Sequence, residues 1–450
     1  MKIFMDTLGC PKNMNDTQHA CGLLMAAGHV FVENPGTADV VIVNTCGFIQ
    51  DAKRESVYRI LELAQEKKKE AFLVVTGCLS MRYSEELYQE IAEVDLLVGV
   101  NDYIQLPRLI GELKKGQRSI HCTSEPAEFM SYECRRMESE PYSMTLRISE
   151  GCDNHCTYCV IPQIRGSFRS RPMEEILSEA NYFAEKGCRE FILIAQDVTL
   201  YGADLYNKIK LPELLRKLCQ IPKIKWIRLM YCYEDRITDE LLEVMASESK
   251  ICPYIDMPIQ HLADGILHRM HRRSTLKSIQ NTVRRLREKV PNIHIRTTLI
   301  TGFPGESEED FQTLLKGVDE LKFERLGVFA YSQEESTPAG KMDGQIPEEE
   351  REARKEAVMR KQLEISRIHN QAKIGKTLEV LIEGTEGNET YYGRSCFDAP
   401  EIDNSVLFTS STFLRPGDFV HVLIEDAFDY DLVGRYISHS TGGTIHEFTK

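Results

Sequence analysis

The stretch MTLRISEGCDNHCTYC, residues 144–159, carries the strongest signal in this chain of 450 residues. Residues 144–149 are predicted to form a β-strand, and the loop after it holds Cys152, Cys156 and Cys159. Three thiolates on one short loop can hold three corners of a 4Fe–4S cluster and leave the fourth iron open to a small molecule. The alternative is a structural zinc ion with His155 or a distant residue as the fourth ligand. Such zinc sites usually use paired Cys-x2-Cys knuckles, and the sequence has no second knuckle, so the spacing favours the cluster.

Alternating strand and helix signals follow this loop. Helices are predicted between the strands, among others at 172–186 and 276–289, and a charged connector helix is predicted at 347–370 with Pro347 in its first turn. With the strand at 144–149, six strands predict a partial (β/α) barrel, whose site would lie at the carboxyl ends of the strands. The five later strands are predicted at 190–194, 225–229, 254–258, 294–300 and 325–329.

A shorter series of strands and helices precedes the loop. The apolar runs ADVVIVN at 38–44 and AFLVVT at 71–76 are typical of parallel strands that are buried on both faces. The pattern predicts an open, mainly parallel α/β sheet in the first 135 residues. It is completed by strands at 2–8 and 94–98 and by helices at 15–27 and 50–68.

Three cysteines follow the first three predicted strands of this sheet. Cys10, Cys46 and Cys78 are far apart in sequence, but the carboxyl ends of parallel strands meet at one edge of a sheet, where ligands bind. Each cysteine has a glycine beside it, at positions 9, 47 and 77, which would let the backbone approach a ligand closely. The pattern predicts a shared metal site, with three separately buried thiols as the alternative.

The last part of the chain, residues 374–440, has short alternating runs at 377–382 and 419–425 and Gly-rich turns, which predict a small all-β barrel. This span has 4 basic and 12 acidic residues, a net charge of −8 out of −14 for the whole chain. A surface of this charge disfavours nucleic acid and favours a basic protein partner. The predicted domains are therefore 1–135, 136–373 and 374–440.

Composition excludes several classes of protein. Charged residues make up 28% and hydrophobic residues 42%, as in globular proteins, and no apolar run approaches the roughly 18 residues that span a bilayer. The N-terminus lacks the apolar core of a signal peptide, so a cytoplasmic location is expected, where disulfides are disfavoured. Eight further cysteines are expected to be mostly small buried hydrophobes: Cys21, Cys122, Cys134, Cys188, Cys219, Cys232, Cys252 and Cys396.

The cysteine triplet, with Tyr158 before its last member, resembles the radical SAM superfamily. The resemblance implies that the open iron chelates S-adenosylmethionine (SAM) and that one electron from the cluster cleaves it to a 5′-deoxyadenosyl radical. By the same analogy the runs AQDVT at 195–199 and TGFPG at 301–305 lie near SAM. The side chains expected to contact this cofactor are Tyr158, Gln196, Asp197 and Gly302, and no catalytic side chain is assigned.

The two cysteine groups and the small β-barrel together resemble the methylthiotransferases over nearly the full chain. In that family the N-terminal trio carries a second 4Fe–4S cluster and the C-terminal piece is a TRAM domain. The resemblance implies two SAM per turnover, one to methylate the sulfur and one to make the radical. It also implies an electron donor such as flavodoxin or ferredoxin.

The runs LGCPKN at 8–13, NTCGF at 44–48 and TGCL at 76–79 are similar to the RimO-type branch, which modifies an aspartate of ribosomal protein S-twelve. Asn15, Thr17 and Gln18 depart from that pattern without loss of a ligand. Two alternatives stay open: a tRNA adenosine methylthiotransferase, and a non-catalytic iron–sulfur protein such as a redox sensor.

A basic run at positions 165, 169 and 171 complicates the choice of substrate. Its three arginines could contact phosphate, the substrate carboxylate or the SAM carboxylate. A surface salt-bridge role is an equally good interpretation.

Overall fold

The computed structural model describes residues 1–136, 141–387 and 389–440. These residues form two compact units. The first contains the described residues up to 136 together with Ser149–Arg171 and Ser332–Lys341. The second contains residues 141–148, Pro172–Tyr331 and the described residues from Met342 onward. The predicted boundaries at 135 and 373 stay predictions, since the compact units cut the chain at other places.

The N-terminal sheet has six parallel strands in the order β2-β1-β3-β4-β5-β6. Every residue of β3 is buried, because helices cover both faces of the sheet, as the continuous apolar run predicted. Its elements are β1 (Lys2–Thr7), α1 (Pro11–Ala26), β2 (Val30–Phe31), β3 (Val40–Thr45), α2 (Gln50–Glu66), β4 (Phe72–Gly77), α3 (Cys78–Arg82), α4 (Ser84–Glu90), β5 (Leu96–Val98), α5 (Leu106–Gly111) and β6 (Ser119–His121).

The second sheet also has six parallel strands, in the order β14-β13-β12-β11-β10-β7, with helices between them. It has two edges and so is the partial barrel that the sequence predicts. Its strands and helices are β7 (Ser143–Arg147), α7 (Met173–Glu185), β10 (Glu190–Ile194), α8 (Leu211–Cys219), β11 (Trp226–Leu229), α9 (Asp239–Ser247), β12 (Ile251–Asp256), α10 (Asp264–Arg269), α11 (Leu276–Lys289), β13 (His294–Thr301), α12 (Glu308–Leu321) and β14 (Arg325–Ala330). The segment after β7 holds β8 (Ser149–Glu150), α6 (Ile161–Arg165) and β9 (Arg169–Ser170).

A closed five-stranded barrel, in the order β15-β16-β17-β19-β18, follows a long connector helix. It confirms the predicted all-β C-terminal fold. The helix is α13 (Glu348–Gln371), and the strands are β15 (Thr377–Thr385), β16 (Thr390–Ser395), β17 (Val406–Thr409), β18 (Phe419–Ala427) and β19 (Leu432–His439).

The barrel packs on the second sheet through apolar and ionic contacts. The Trp226 and Phe419 rings meet edge to face at 4.8 Å. Glu190 is fully buried and accepts hydrogen bonds from Arg228 Nε (3.1 Å) and Arg394 Nη1 (2.8 Å). Burial alone would raise the pKa of Glu190, but Arg394 and Arg228 outweigh it and lower the pKa to about 2. The two arginines therefore keep this carboxylate charged at the contact.

Candidate metal centres

The first group of cysteines lies at one edge of the N-terminal sheet. Cys10 is the residue just before α1, Cys46 directly follows β3, and Cys78 is the first residue of α3 after β4. Their strands β1, β3 and β4 are neighbours, so the three loops open side by side. Cys10 is exposed, Cys46 is half-buried and Cys78 is buried. The arrangement provides a depth gradient of thiols at a single rim.

Two glycines explain how closely these loops approach each other. A Cβ on Gly9 would lie 2.8 Å from Cys46 Cβ, and one on Gly47 would lie 2.8 Å from the Leu79 Cα. Any side chain at either position would therefore push the cysteine loops apart. The sequence suggested that these glycines leave room for a ligand, and the structure shows that they leave room for the neighbouring loop.

Asn13 links the three loops of this site. Its Nδ2 donates to the carbonyl oxygens of Leu8 and Thr45, both at 3.0 Å, and its Oδ1 accepts from Cys78 Sγ at 3.5 Å. Asn13 is fully buried, so these bonds form in a low-dielectric environment where they are strong. It belongs to the LGCPKN run, but sequence reasoning gave it no role of its own.

Burial controls the ionisation of these thiols. It raises the pKa of Cys78 to about 12, against the lowering effect of Arg165, and Cys10 and Cys46 raise it further by charge repulsion. Burial also raises the pKa of Cys46. The raised pKa values of Cys46 and Cys78 keep these two thiols protonated at neutral pH, so they would release protons when metal binds.

The second group of cysteines lies on the loop between β8 and α6. Two of its sulfurs accept hydrogen bonds at 3.4 Å, Cys152 Sγ from Asn154 Nδ2 and Cys159 Sγ from the Ile161 amide. Burial raises the pKa of Cys159, with Cys156 adding to the effect by charge repulsion. Donors aimed at sulfur stabilise thiolates, and such bonds tune iron–sulfur clusters. The sulfur ligands of both cysteine groups therefore fit an iron–sulfur cluster.

The two cysteine groups adjoin each other within the first compact unit. Cys78 packs in one apolar cluster with Val160, which directly follows the triplet, and with Ile164 on α6. From the other side, the positive charge of Lys12, two residues after Cys10, acts on Cys159. Residues beside each group thus reach the other.

Arg165 is the main polar link between them. Its guanidinium, 3% exposed, pairs with Asp16 at 2.8 Å and with Glu150 at 3.3 Å. It also donates to Asn13 Oδ1 at 3.0 Å and lies 3.7 Å from Cys78 Sγ. The surface salt-bridge alternative for the basic run is therefore wrong for Arg165, because the side chain is buried among internal partners.

The other two arginines of the run also face protein groups. Arg171 is 4% exposed, and Arg169 donates to the carbonyl oxygen of Ala127. The guanidinium groups of both lie within 6 Å of the Phe129 ring centre, at 5.6 and 5.8 Å. A phosphate-binding role for this run is not supported.

A strap, residues Ser332–Lys341, contacts residues that lie near both cysteine groups. Glu334, whose side chain is 2% exposed, pairs with Lys53 and Arg82, each at 2.7 Å. Arg82 also donates to the carbonyl oxygen of Gly47, next to Cys46. At the other end, the Ala339 amide donates to the carbonyl oxygen of Thr157, inside the triplet, at 2.9 Å. Sequence reasoning missed this strap, which carries no motif.

The predicted SAM-contacting residues fall in both units. Tyr158 is half-buried in the triplet loop of the first unit, and the other three lie in the second. The Asp197 carboxylate accepts from the Thr199 amide at 3.0 Å and pairs with Arg236. Gln196 is half-buried, so its side chain is partly open to solvent.

Gly302 has its own structural reason for lacking a side chain. It has a φ of +70°, and a Cβ there would lie 2.1 Å from Arg351 Cγ on the connector helix. The Gly302 amide donates to Glu306 Oε2 at 2.7 Å, which fixes the turn. Asp197 and Gly302 therefore shape their loops.

The scattered cysteines agree with the expectation of burial for most of them. Cys122 and Cys134 are half-buried, and the other six are buried. No three His, Cys, Asp or Glu side chains converge closely enough to ligate a single metal ion in the part of the chain that the structure describes. None of the helices within the described ranges has the length and apolar character needed to cross a membrane.

Three protein families match successive parts of the chain. The uncharacterized protein family UPF0004 matches residues 2–99, the radical SAM superfamily matches 146–318, and the TRAM domain matches 374–437. Among solved structures, the radical S-adenosylmethionine methyltransferase TsrM from Kitasatospora setae, with cobalamin and a 4Fe–4S cluster bound, has a TM-score of 0.55 at 15% identity. The match covers 75% of this chain and 77% of that one, and it shows the fold alone.

Curated relatives match over almost the full length. A protein of Lachnoclostridium phytofermentans, named ribosomal protein uS12 methylthiotransferase RimO, is 45% identical over 96% of this chain and 99% of its own length. Its namesake in Desulforamulus reducens is 46% identical over 95% of this chain and 98% of its own. With the three matched families and this similarity from end to end, the chain belongs to the RimO family of radical SAM methylthiotransferases.

Proposed function

We propose that this enzyme inserts a methylthio group at the β-carbon of an aspartate in ribosomal protein uS12, the S-twelve protein. The observation that carries the proposal is the presence of two three-cysteine groups in one compact unit of a chain that is 45% identical to a uS12 methylthiotransferase along its length. The enzyme uses two 4Fe–4S clusters and SAM, with two SAM consumed per turnover.

We assign one cluster to each cysteine group. Cys10, Cys46 and Cys78 would hold the auxiliary cluster, and Cys152, Cys156 and Cys159 would hold the cluster that binds SAM. When bound, the clusters and SAM supply the sulfur, the methyl group and the 5′-deoxyadenosyl radical. The chain contributes the thiolates, and the donors on Asn154 and Ile161 stabilise two of the sulfurs. Three protein ligands for each cluster leave one iron of each open to a small molecule.

We keep four residues as the proposed SAM contacts. Tyr158 and Gln196 are half-buried, so each is partly exposed at the surface of its loop. Asp197 and Gly302 would act by holding their loops, since the Asp197 carboxylate caps the following turn and Gly302 makes room for Arg351.

The C-terminal barrel is proposed to dock the basic substrate protein. Its net charge of −8 would attract a basic protein electrostatically and raise the association rate. The turn between β18 and β19 also presents two exposed aromatic rings, Phe428 (59%) and Tyr430 (43%). Asn370 of the connector helix donates to the carbonyl oxygens of Phe428 and Tyr430, at 3.2 and 2.8 Å. An anchored aromatic tip with acidic neighbours suits a protein partner better than tRNA.

The docking proposal is tested by reversing charges that hold no other segment of the chain, among them Asp426, which accepts a hydrogen bond from the amide of the adjacent Ala427. Glu386, Glu389, Glu401 and Asp426 are exposed, whereas Asp429 pairs with Arg367 and Asp431 accepts from the Ser405 amide. Changing the four exposed residues to Lys should slow binding of purified uS12, and more so at low salt. Equal binding at all salt concentrations would overturn the electrostatic account. Phe428→Ala should weaken binding without this salt dependence.

The function is tested by the intact mass of uS12 from cells with and without the gene. Loss of one methylthio-for-hydrogen mass increment on deletion, mapped to an aspartate, supports the proposal. An unchanged uS12 with a lost methylthio group in tRNA nucleosides would support the tRNA enzyme instead. For a redox sensor, the reconstituted and reduced protein would release no 5′-deoxyadenosine from SAM. The reductant would be a flavodoxin or ferredoxin, and the ribosomal substrate favours a cytoplasmic location.

A further inference from the structure

Arg165 contacts partners from three separate segments of the first compact unit. Asp16 and Asn13 lie on α1, Glu150 lies on β8, and Cys78 begins α3. Arg165 itself is the last residue of α6, six positions after the final cysteine of the triplet. One guanidinium therefore contacts the scaffold of both cysteine groups at the same time.

The charged side chains around Arg165 are buried, which is unusual for a purely structural feature. The side chains of Arg165, Asp16 and Glu150 are only 3%, 2% and 9% exposed. A buried ionic triad is often no more stabilising than well-packed apolar residues, because desolvation offsets the attraction between the charges. Arginine keeps its charge even when buried. The site therefore contains a permanent positive charge 3.7 Å from Cys78 Sγ.

We propose that Arg165 is a positioning residue that holds the two cysteine groups at a fixed distance and orientation. Its charge also favours the reduced state of the cluster held by Cys78. The proposal rests on the cysteine assignment of the proposed function. Reduction adds one electron, and so one negative charge, to the cluster. A fixed positive charge beside a ligand sulfur stabilises that extra charge, whereas the nearby Asp16 carboxylate opposes it. Arg165 and Asp16 should therefore shift the reduction potential in opposite directions.

The decisive measurement isolates the auxiliary cluster. A parent variant with Cys152, Cys156 and Cys159 all changed to Ala retains only the N-terminal trio. Its reconstituted cluster is titrated with dithionite and mediators, followed by electron paramagnetic resonance, with iron counted per chain. In this parent, Arg165→Gln should make the cluster harder to reduce by at least tenfold in the equilibrium constant, which is about 59 mV for one electron. Asp16→Asn should shift the potential the other way.

The opposite signs separate the proposal from a general loss of structure. If Arg165→Gln and Asp16→Asn shift the potential in the same direction, or lower only the iron content, the proposal is overturned. Should Arg165→Gln fail to fold because two carboxylates are left buried, the double variant Arg165→Gln/Asp16→Asn decides, since its potential must lie below that of Asp16→Asn alone. The matched control is Arg118→Gln, since Arg118 donates to the carbonyl oxygens of Val94, Tyr88 and Ile91, away from both cysteine groups. It should leave the potential unchanged.

The relative placement of the two cysteine groups is tested in the complete enzyme. Arg165→Lys keeps the charge but cannot contact Asp16, Glu150 and Asn13 together, because an ammonium lacks the guanidinium fork. In the parent variant, Arg165→Lys should leave the reduction potential of the trio's cluster almost unchanged. In the complete enzyme, Arg165→Lys should increase the amount of 5′-deoxyadenosine released per methylthio product. An unchanged ratio would overturn the positioning role. If the parent variant assembles no cluster, the cysteine assignment is overturned and this inference with it. If it assembles a cluster whose potential Arg165→Gln does not shift, the inference alone is overturned.

Discussion

The two three-cysteine groups are built in opposite ways. The triplet sits on one loop, within eight consecutive residues from 152 to 159. The trio is assembled from loops after β1, β3 and β4 and depends on the packing of a whole sheet. A local site can be recognised from spacing alone, and a distributed site only after the strands have been ordered. The difference also predicts which changes damage one group and spare the other.

The largest expected effect comes from Cys156→Ala. Losing one of three thiolates should remove the SAM-binding cluster, so release of 5′-deoxyadenosine falls to background in an anaerobic assay with dithionite. Because the ligands proposed for the trio include no residue of this loop, roughly half of the iron should remain. Loss of nearly all the iron would show that the two groups do not assemble independently.

Cys46→Ala reverses this pattern. It should stop methylthio transfer to uS12, as measured by the mass of the substrate, while 5′-deoxyadenosine release stays measurable. The matched control is Cys21→Ala, since Cys21 is a buried cysteine on α1 outside both groups. Full product formation by Cys46→Ala would refute the auxiliary role of the trio.

The depth gradient within the trio should appear as different thiol reactivities in the metal-free protein. Cys10 is exposed, whereas burial raises the pKa of Cys78 to about 12. At pH 8 only about one Cys78 thiol in ten thousand would be ionised. Iodoacetamide should therefore modify Cys78 more than a hundredfold more slowly than Cys10, with a rate that rises about tenfold per pH unit. Peptide mass spectrometry measures both rates, and equal rates would contradict the burial of Cys78.

The smallest effect is expected from Gly47→Ala, which tests the close approach of the trio's loops. The added Cβ would lie 2.8 Å from Leu79 Cα, so we expect a loss of about 1–3 kcal/mol of stability in urea unfolding. Iron should be lost from the trio and kept by the triplet. In the control Gly111→Ala the new methyl group meets no atom within 4 Å. That variant should be as stable as the unsubstituted protein.

The fold could be predicted from the sequence wherever a pattern was long enough to read. The buried strands β3 and β4 and all six strands of the second sheet were expected. The edge strands β2 and β6 were missed, because two or three residues carry no periodicity. Helix α1 was expected to begin at 15 and begins at Pro11, since proline suits the first turn of a helix.

The site could be predicted only as far as its motifs reach. The six cysteines were found from spacing and strand order, and their ligand roles stay predictions. The pairing of Arg165 with Asp16 joins residues 149 positions apart, and that of Lys53 with Glu334 joins residues 281 apart. Such pairs leave no periodic signal in one sequence. A basic run therefore looked like a surface feature although Arg165 lies inside.

The strap has a consequence for the order in which the chain is made. Glu334 is the buried carboxylate that pairs with Lys53 and Arg82, yet it is synthesised more than 250 residues after either of them. During translation, at about 5–20 residues per second, the N-terminal sheet emerges well before this partner. For many seconds Lys53 and Arg82 lack this carboxylate and keep only partners from the N-terminal sheet, such as the Gly47 carbonyl oxygen that accepts from Arg82. The nascent chain thus completes its N-terminal sheet before the two ion pairs of Glu334 can form, so these pairs stabilise a sheet that is already made.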